Sequence, residues 1–98
     1  MAGLGFEWDE AKDAANRRKH GVLFEEARTV FFDEHALFMR DPEHSADGDR
    51  FLLLGLSIRL RTLVVCHCFR EREDLIRIIS ARRANRQEQA DYNRRLLR

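Results

Sequence analysis

The residues best suited to chemistry are a histidine and an arginine in two neighbouring β-rich runs, Arg61 to Phe69 and Asp74 to Ser80. Side chains on a strand alternate faces, which puts Leu63, Val65, His67 and Phe69 on one side of the first run. A five-residue hairpin loop from Arg70 to Asp74 then sets Phe69 opposite Leu75, His67 opposite Arg77 and Val65 opposite Ile79. An imidazole titrates near neutrality and can move a proton. A guanidinium beside it can hold the charge that builds on phosphoryl oxygens. That couple suits cleavage of an RNA phosphodiester, where the 2′-hydroxyl is already the nucleophile and neither a metal nor a protein nucleophile is needed. The same two residues on half-buried strands also fit a structural ion-pair network.

Further cations could line the same cleft. Lys12, Asn16, Lys19 and His20 share one helical face. Arg82, Arg83 and Arg86 open a helix predicted from Ala81 to Leu97, where cations oppose the dipole but backbone N–H groups and guanidiniums together suit phosphate. Each set also reads as a solvated helix face. Cys66-His67-Cys68 is not a metal motif: on a strand the two thiols face one way and the imidazole the other, and a structural zinc needs four convergent ligands. His35 and His44 show no paired pattern, and no glycine-rich phosphate loop, Gly-x-Ser-x-Gly or His-Glu-x-x-His occurs. No metal or cofactor is expected.

Charge partition points the same way. The net charge is +1, but residues 1–49 carry six Lys and Arg against twelve Asp and Glu, and residues 50–98 carry twelve against five. Every basic residue after Lys19 is arginine, whose planar fork meets phosphate in a bidentate way. A basic half of this kind suits nucleic acid or an acidic protein surface. The 98 residues read as a single domain, 1–98. The longest stretches free of Lys, Arg, Asp and Glu are Phe51 to Ile58 and Thr62 to Phe69, far short of the about 20 residues of a membrane span. The first residues lack the basic head and apolar run of a signal peptide. Cys66 and Cys68 read as reduced thiols, and a cytoplasmic location is expected.

The elements that must position these groups follow from pattern. Residues 9–20 predict a helix with Asp9 as N-cap and Gly21 as its stop. Residues 24–32 predict a second, carrying Ala27, Val30 and Phe31 at helical spacing. Ala36 to Arg40 predicts a short strand, and Asp41 to Asp49 a loop. Arg50 to Ile58 and Arg61 to Phe69 predict two strands about a turn near Arg59 and Leu60, and Asp74 to Ser80 a fourth. Ser80 is a plausible N-cap for the last helix. The expected fold is α+β: two N-terminal helices, a four-stranded antiparallel meander and a C-terminal helix, with one sheet face covered and the other open.

Several segments, in order, carry a family resemblance: Phe6-Glu7-Trp8-Asp9-Glu10-Ala11-Lys12, Asn16, Lys19-His20-Gly21-Val22, Phe24-Glu25-Glu26-Ala27, Phe31-Phe32-Asp33, Arg50 with Gly55, His67, and Ile76 to Ala84. The chain resembles the BrnT family of ribonuclease toxins of bacterial type II toxin–antitoxin systems over about residues 6–92. The resemblance implies a RelE-like fold, metal-independent RNA cleavage that stops translation, and neutralisation by a BrnA-like antitoxin in a hetero-oligomer that meets DNA only through the antitoxin. Carried over residue by residue, it implies His67, Arg77 and Arg82 as catalytic groups, with Lys19 and His20 beside them. Lys12, Arg50, Arg83 and Arg86 are then RNA contacts. Two departures stand out. Leu23 replaces the usual Ser or Thr cap of the second helix, and the hairpin near Leu60 lacks the usual glycine. A non-catalytic nucleic-acid-binding or regulatory module is the alternative.

Overall fold

The computed structural model describes residues 4–41, 50–70 and 74–97. In chain order these form β1 (Gly5–Glu7), α1 (Glu10–His20), α2 (Phe24–Ala27) continued by a 3₁₀ turn (Arg28–Phe32), β2 (Leu37–Arg40), β3 (Phe51–Leu56), β4 (Thr62–Phe69), β5 (Leu75–Arg83) and α3 (Arg86–Leu96). Most of the predicted loop at 41–49 and of the turn at 70–73 lies outside the described residues.

The sheet has five strands, in the order β1-β5-β4-β3-β2. The expected meander is there as β2 to β5, all antiparallel. The expectation of four strands is corrected by β1, which adds to β5 in parallel, Glu7 pairing with Arg77. Three residues are too few to show a strand period. The second predicted helix also divides, because only its first turn is α-helical.

Local chemistry fixes the helices. Asp9 accepts the N–H groups of Ala11 and Lys12 at 2.8 and 3.1 Å. Gly21 ends α1 at φ 70°, a left-handed cap that glycine adopts without a Cβ penalty. Leu23 offers α2 no side-chain cap, but Asp13 of α1 replaces it by accepting the Phe24 N–H at 2.9 Å. Buried Asn16 docks α1 on the sheet. Its amide donates to the carbonyls of Val22 and Ala81, and its carbonyl accepts the Ala81 N–H at 3.1 Å. It thereby satisfies the edge of β5 beyond the end of β1. Buried Glu26 ties α2 to the β3–β4 turn by accepting Ser57 Oγ at 2.6 Å and the Arg61 guanidinium.

The helical layer covers one sheet face. Val22, Phe24, Ala27 and Val30 pack there on Leu53, Leu63, Val65, Ile78 and Ala81. The opposite face is not left wholly open: α3 covers one end of it, with Tyr92 on Leu54 and Val64.

Two features of β5 differ from expectation and decide the site. First, β5 runs on to Arg83, so Arg82 and Arg83 are strand residues and not the start of a helix. The helix signal is Asn85 with Glu88, a reciprocal capping box, and Ser80 caps nothing. Second, the β4–β5 register slips. Cys66 pairs with Ser80 but His67 pairs with Ile78, leaving Ile79 as an extra residue.

Candidate functional site

The observed register sets the faces. Val64, Cys66 and Cys68 share one side of β4, and their partners are Arg82, Ser80 and Arg77. All six therefore share the sheet face that carries α3. His67, paired with Ile78, belongs to the helix-covered face. The expected His67–Arg77 pair is not formed, because Phe69 pairs with Ile76 and not with Leu75, and that offset of one residue at the hairpin sets Arg77 opposite Cys68.

Arg77 and Arg82 are each held by a carboxylate. The two terminal nitrogens of Arg82 reach the two oxygens of Glu88 at 2.7 and 2.9 Å. That bidentate bond holds Glu88 below the usual carboxylate range against the opposing effect of burial. Glu88 also accepts the Asn85 N–H, so the capping box of α3 orients Arg82. Arg77 donates to Glu7 at 2.9 Å, and Arg70 approaches the same carboxylate oxygen at 3.2 Å. Glu7 thus sits between two guanidiniums.

Near these pairs lies Cys66, whose Sγ is 3.9 Å from the buried Asp41 carboxylate. Burial pushes the Cys66 thiol up, as does the Asp41 charge, while the Arg50 charge and a Ser80 hydrogen bond work the other way. A thiol so raised is not a nucleophile at neutral pH. Arg50, half-buried, precedes β3, and its carbonyl accepts the Asp41 N–H at 2.9 Å.

His67 lies elsewhere. It is 0% exposed. Its Nδ1 is 3.2 Å from the Val65 carbonyl, and its Nε2 has no hydrogen-bond partner among the described residues. The rings of Phe31, Phe38, Phe51 and Phe69 surround it, with centroids at 4.8, 5.9, 6.1 and 5.6 Å. Burial pushes its pKa down and the Val65 carbonyl opposes this only in part, so the ring is neutral. In this arrangement its imidazole meets neither solvent nor Arg77.

The remaining expected site residues divide. Lys12 and Lys19 are exposed and His20 is half-buried on α1, the helix that leans on the edge of β5 through Asn16. Arg83 is exposed and pairs with Leu63, so it belongs to the helix-covered face. Arg86 is exposed at the first position of α3. The structure therefore gathers Arg77, Arg82 and Arg50 on one face and leaves His67 and Arg83 on the other. Glu7, Arg70 and Glu88 were not singled out from the sequence as site residues. The Asn85-x-x-Glu88 capping signal could have found Glu88, whereas Glu7 depends on the parallel β1–β5 pairing, which no local pattern shows.

This α+β fold, with paired arginines across a sheet face, can be compared with known proteins. Residues 8–88 match the family described as "Ribonuclease toxin, BrnT, of type II toxin-antitoxin system". The chain belongs to the BrnT family of ribonuclease toxins of type II toxin–antitoxin systems. Among solved structures it is similar to the Brucella abortus ribonuclease toxin BrnT, at 22% sequence identity and a TM-score of 0.65, covering 85% of this chain and 99% of that one. That similarity is one of fold. No curated protein matches the chain. Among the described residues no helix is long and apolar enough to cross a membrane.

Proposed function

We propose that this protein is a metal-independent endoribonuclease whose active face is the sheet surface bearing Arg77 and Arg82. The observation that carries this reading is the arrangement of two guanidiniums, each oriented by a carboxylate, on one side of β5. Guanidiniums fixed before substrate arrives stabilise the extra negative charge of a pentacoordinate phosphorus at little reorganisation cost. Arg50 and Arg70 extend the positive rim, and Lys12 and Arg86 are outlying RNA contacts.

In the proposed step the 2′-hydroxyl loses its proton to Glu7, the carboxylate between Arg70 and Arg77. The 2′-oxygen bonds to phosphorus, the bond from phosphorus to the 5′-oxygen breaks, and that oxygen takes a proton. Products are a 2′,3′-cyclic phosphate and a 5′-hydroxyl. Both oxygens of Glu88 are engaged by Arg82, so Glu88 serves to orient that guanidinium. Lys19 and His20 adjoin Gly21, whose carbonyl accepts Arg61 at the β3–β4 end, away from Glu7, so in this scheme the 5′-oxygen draws its proton from solvent and the two residues are RNA contacts. His67, buried on the opposite face, takes no step in this scheme. Cleavage of cellular RNA blocks translation in the cytoplasm, and a BrnA-like antitoxin neutralises the toxin in a hetero-oligomer that reaches DNA only through the antitoxin.

The test is cleavage of total RNA in EDTA by the wild type, Arg77→Ala, Arg82→Ala and Glu7→Gln, with end-group analysis. Fragments ending in cyclic phosphate that vanish in all three variants support the scheme. Fragments that persist in both arginine variants move the site off this face. A second reading, a non-catalytic RNA-binding module, draws on the sealed environment of His67. It predicts salt-sensitive binding of RNA that stays intact.

A further inference from the structure

The helix-covered face is not covered to its end. Beyond the 3₁₀ turn, Phe38 of β2 and Phe69 of β4 remain 56% and 38% exposed. They flank half-buried Phe51 of β3. Phe38 and Phe51 are stacked, with centroids 5.1 Å apart and ring planes 24° from parallel. Phe69 lies 5.5 Å from Phe51 and 6.4 Å from Phe38. The three phenyls form a contiguous platform, with buried His67 beside it as the cross-strand partner of Phe51. The Arg40 guanidinium stands 5.6 Å over the Phe51 ring. Arg70 follows Phe69 directly and reaches Glu7, which also holds Arg77.

We propose that the Phe38–Phe51–Phe69 platform stacks unpaired nucleobases of the RNA whose backbone is held by the arginine face. This rests on the ribonuclease reading above and adds a substrate preference: single-stranded over duplex RNA. Three observations carry it. Phe38 and Phe69 are exposed aromatic rings, and aromatic rings stack on any base. Two cations border the phenyls, Arg40 over Phe51 and Arg70 next to Phe69, and match a polyanion. The phenyls and the guanidinium cluster lie on opposite sheet faces joined at the end by Phe69-Arg70, so a strand turning over that end meets both. A duplex keeps its bases stacked on one another and gains nothing from the platform.

The test uses the full chain with three probes: a 2′-O-methyl single-stranded oligonucleotide that lacks the attacking hydroxyl, the same sequence as a duplex, and inorganic polyphosphate. In Phe38→Leu/Phe69→Leu the apolar bulk is kept and the π-faces are lost. Both sites are at the surface, and circular dichroism checks the fold. Affinity for the single strand is expected to fall about ten-fold, with duplex and polyphosphate binding unchanged. Quenching of a 2-aminopurine base in the single strand, present in the wild type, is expected to disappear. Unchanged single-strand affinity would overturn the platform and leave the ribonuclease reading standing. An equal loss on polyphosphate also overturns it, because π-stacking is then not the cause. Retained RNA binding with lost antitoxin binding overturns it in favour of a protein-docking surface. A wild type that binds no RNA removes the ribonuclease reading, and the platform with it.

Discussion

Arg77 and Arg82 lie five residues apart on β5 yet face the same side of the sheet, because Ile79 is an extra residue in the ladder between them. In an unbroken strand an odd separation would place them on opposite faces. The bulge is thus what brings two guanidiniums onto one surface, and bulges commonly re-aim side chains next to functional sites. If both arginines contact phosphate, each Arg→Ala change should shallow the dependence of log affinity on log salt by about 0.7 for single-stranded RNA. Arg83→Ala, on the other face, should leave that slope unchanged. Equilibrium titrations of a 2′-O-methyl oligonucleotide at several salt concentrations measure it. Equal effects at Arg82 and Arg83 would remove the significance of the bulge.

His67 makes a different prediction. Its folded pKa lies below the ordinary 6.5 because of burial. The unfolded chain therefore binds this proton more readily. The stability contributed by the neutral ring is fully present above pH 6.5 and is lost as pH falls toward the folded value. His67→Phe removes the unpartnered Nε2 and keeps a ring in the aromatic nest. Denaturant unfolding between pH 5 and 7.5 should show a smaller acid loss in the variant than in the wild type, with RNA cleavage retained. A folded His67→Phe protein that binds RNA but no longer cleaves it would return the imidazole to the chemistry.

How far the sequence could be read divides at the same residues. Signals written within a few positions were legible: Asp9 before the first helix, Gly21 after it, and the alternating runs that became β3 and β4. Arg77 and Arg82 stand out in the sequence as candidates, but their shared face does not. The five-residue loop sets Phe69 opposite Leu75, whereas Phe69 pairs with Ile76, and that offset of one residue moves Arg77 to the other face. Tertiary pairings were out of reach for the same reason. Glu7 meets Arg77 only because β1, three residues long, docks in parallel at the far edge from a distance of 70 positions. The missing cap at Leu23 is supplied by Asp13, which sequence spacing alone does not place there.

Tyr92 is the only tyrosine in the chain, so its ionisation can be read directly. Its hydroxyl donates to Asp33 at 2.5 Å, and the same carboxylate accepts the N–H groups of Leu56 and His35 at 2.8 and 2.9 Å. Burial, together with the bond to Asp33 and its charge, pushes the phenol up to about 12. A raised folded pKa means that stability from the neutral phenol is intact below pH 10 and lost as pH rises toward 12. Absorbance of the phenolate should therefore show a midpoint near 12 in the folded protein and near 10 in denaturant. Asp33→Asn should move the folded midpoint down. A midpoint near 10 in both states would mean that α3 does not hold Tyr92 against the sheet.

Leu60 carries a backbone cost that a glycine at this turn would avoid. It adopts φ 61° in the β3–β4 turn, where its N–H donates to the Ser57 carbonyl at 2.9 Å. The left-handed region costs a side chain with a Cβ about 1–2 kcal/mol. Glycine avoids that penalty but loses more conformational freedom on folding, about 0.5–1 kcal/mol. The difference favours Leu60→Gly by about 0.5 kcal/mol, or about 3 °C in melting temperature for a domain of this size. Leu60 is 79% exposed, so little packing is lost. Leu60→Ala is the control, since it keeps the Cβ in the same backbone conformation. The glycine variant should melt above the wild type and the alanine variant at or below it, by calorimetry at one pH and salt concentration. Equal gains in both would place the benefit in removal of the exposed isobutyl group and not in relief of the backbone.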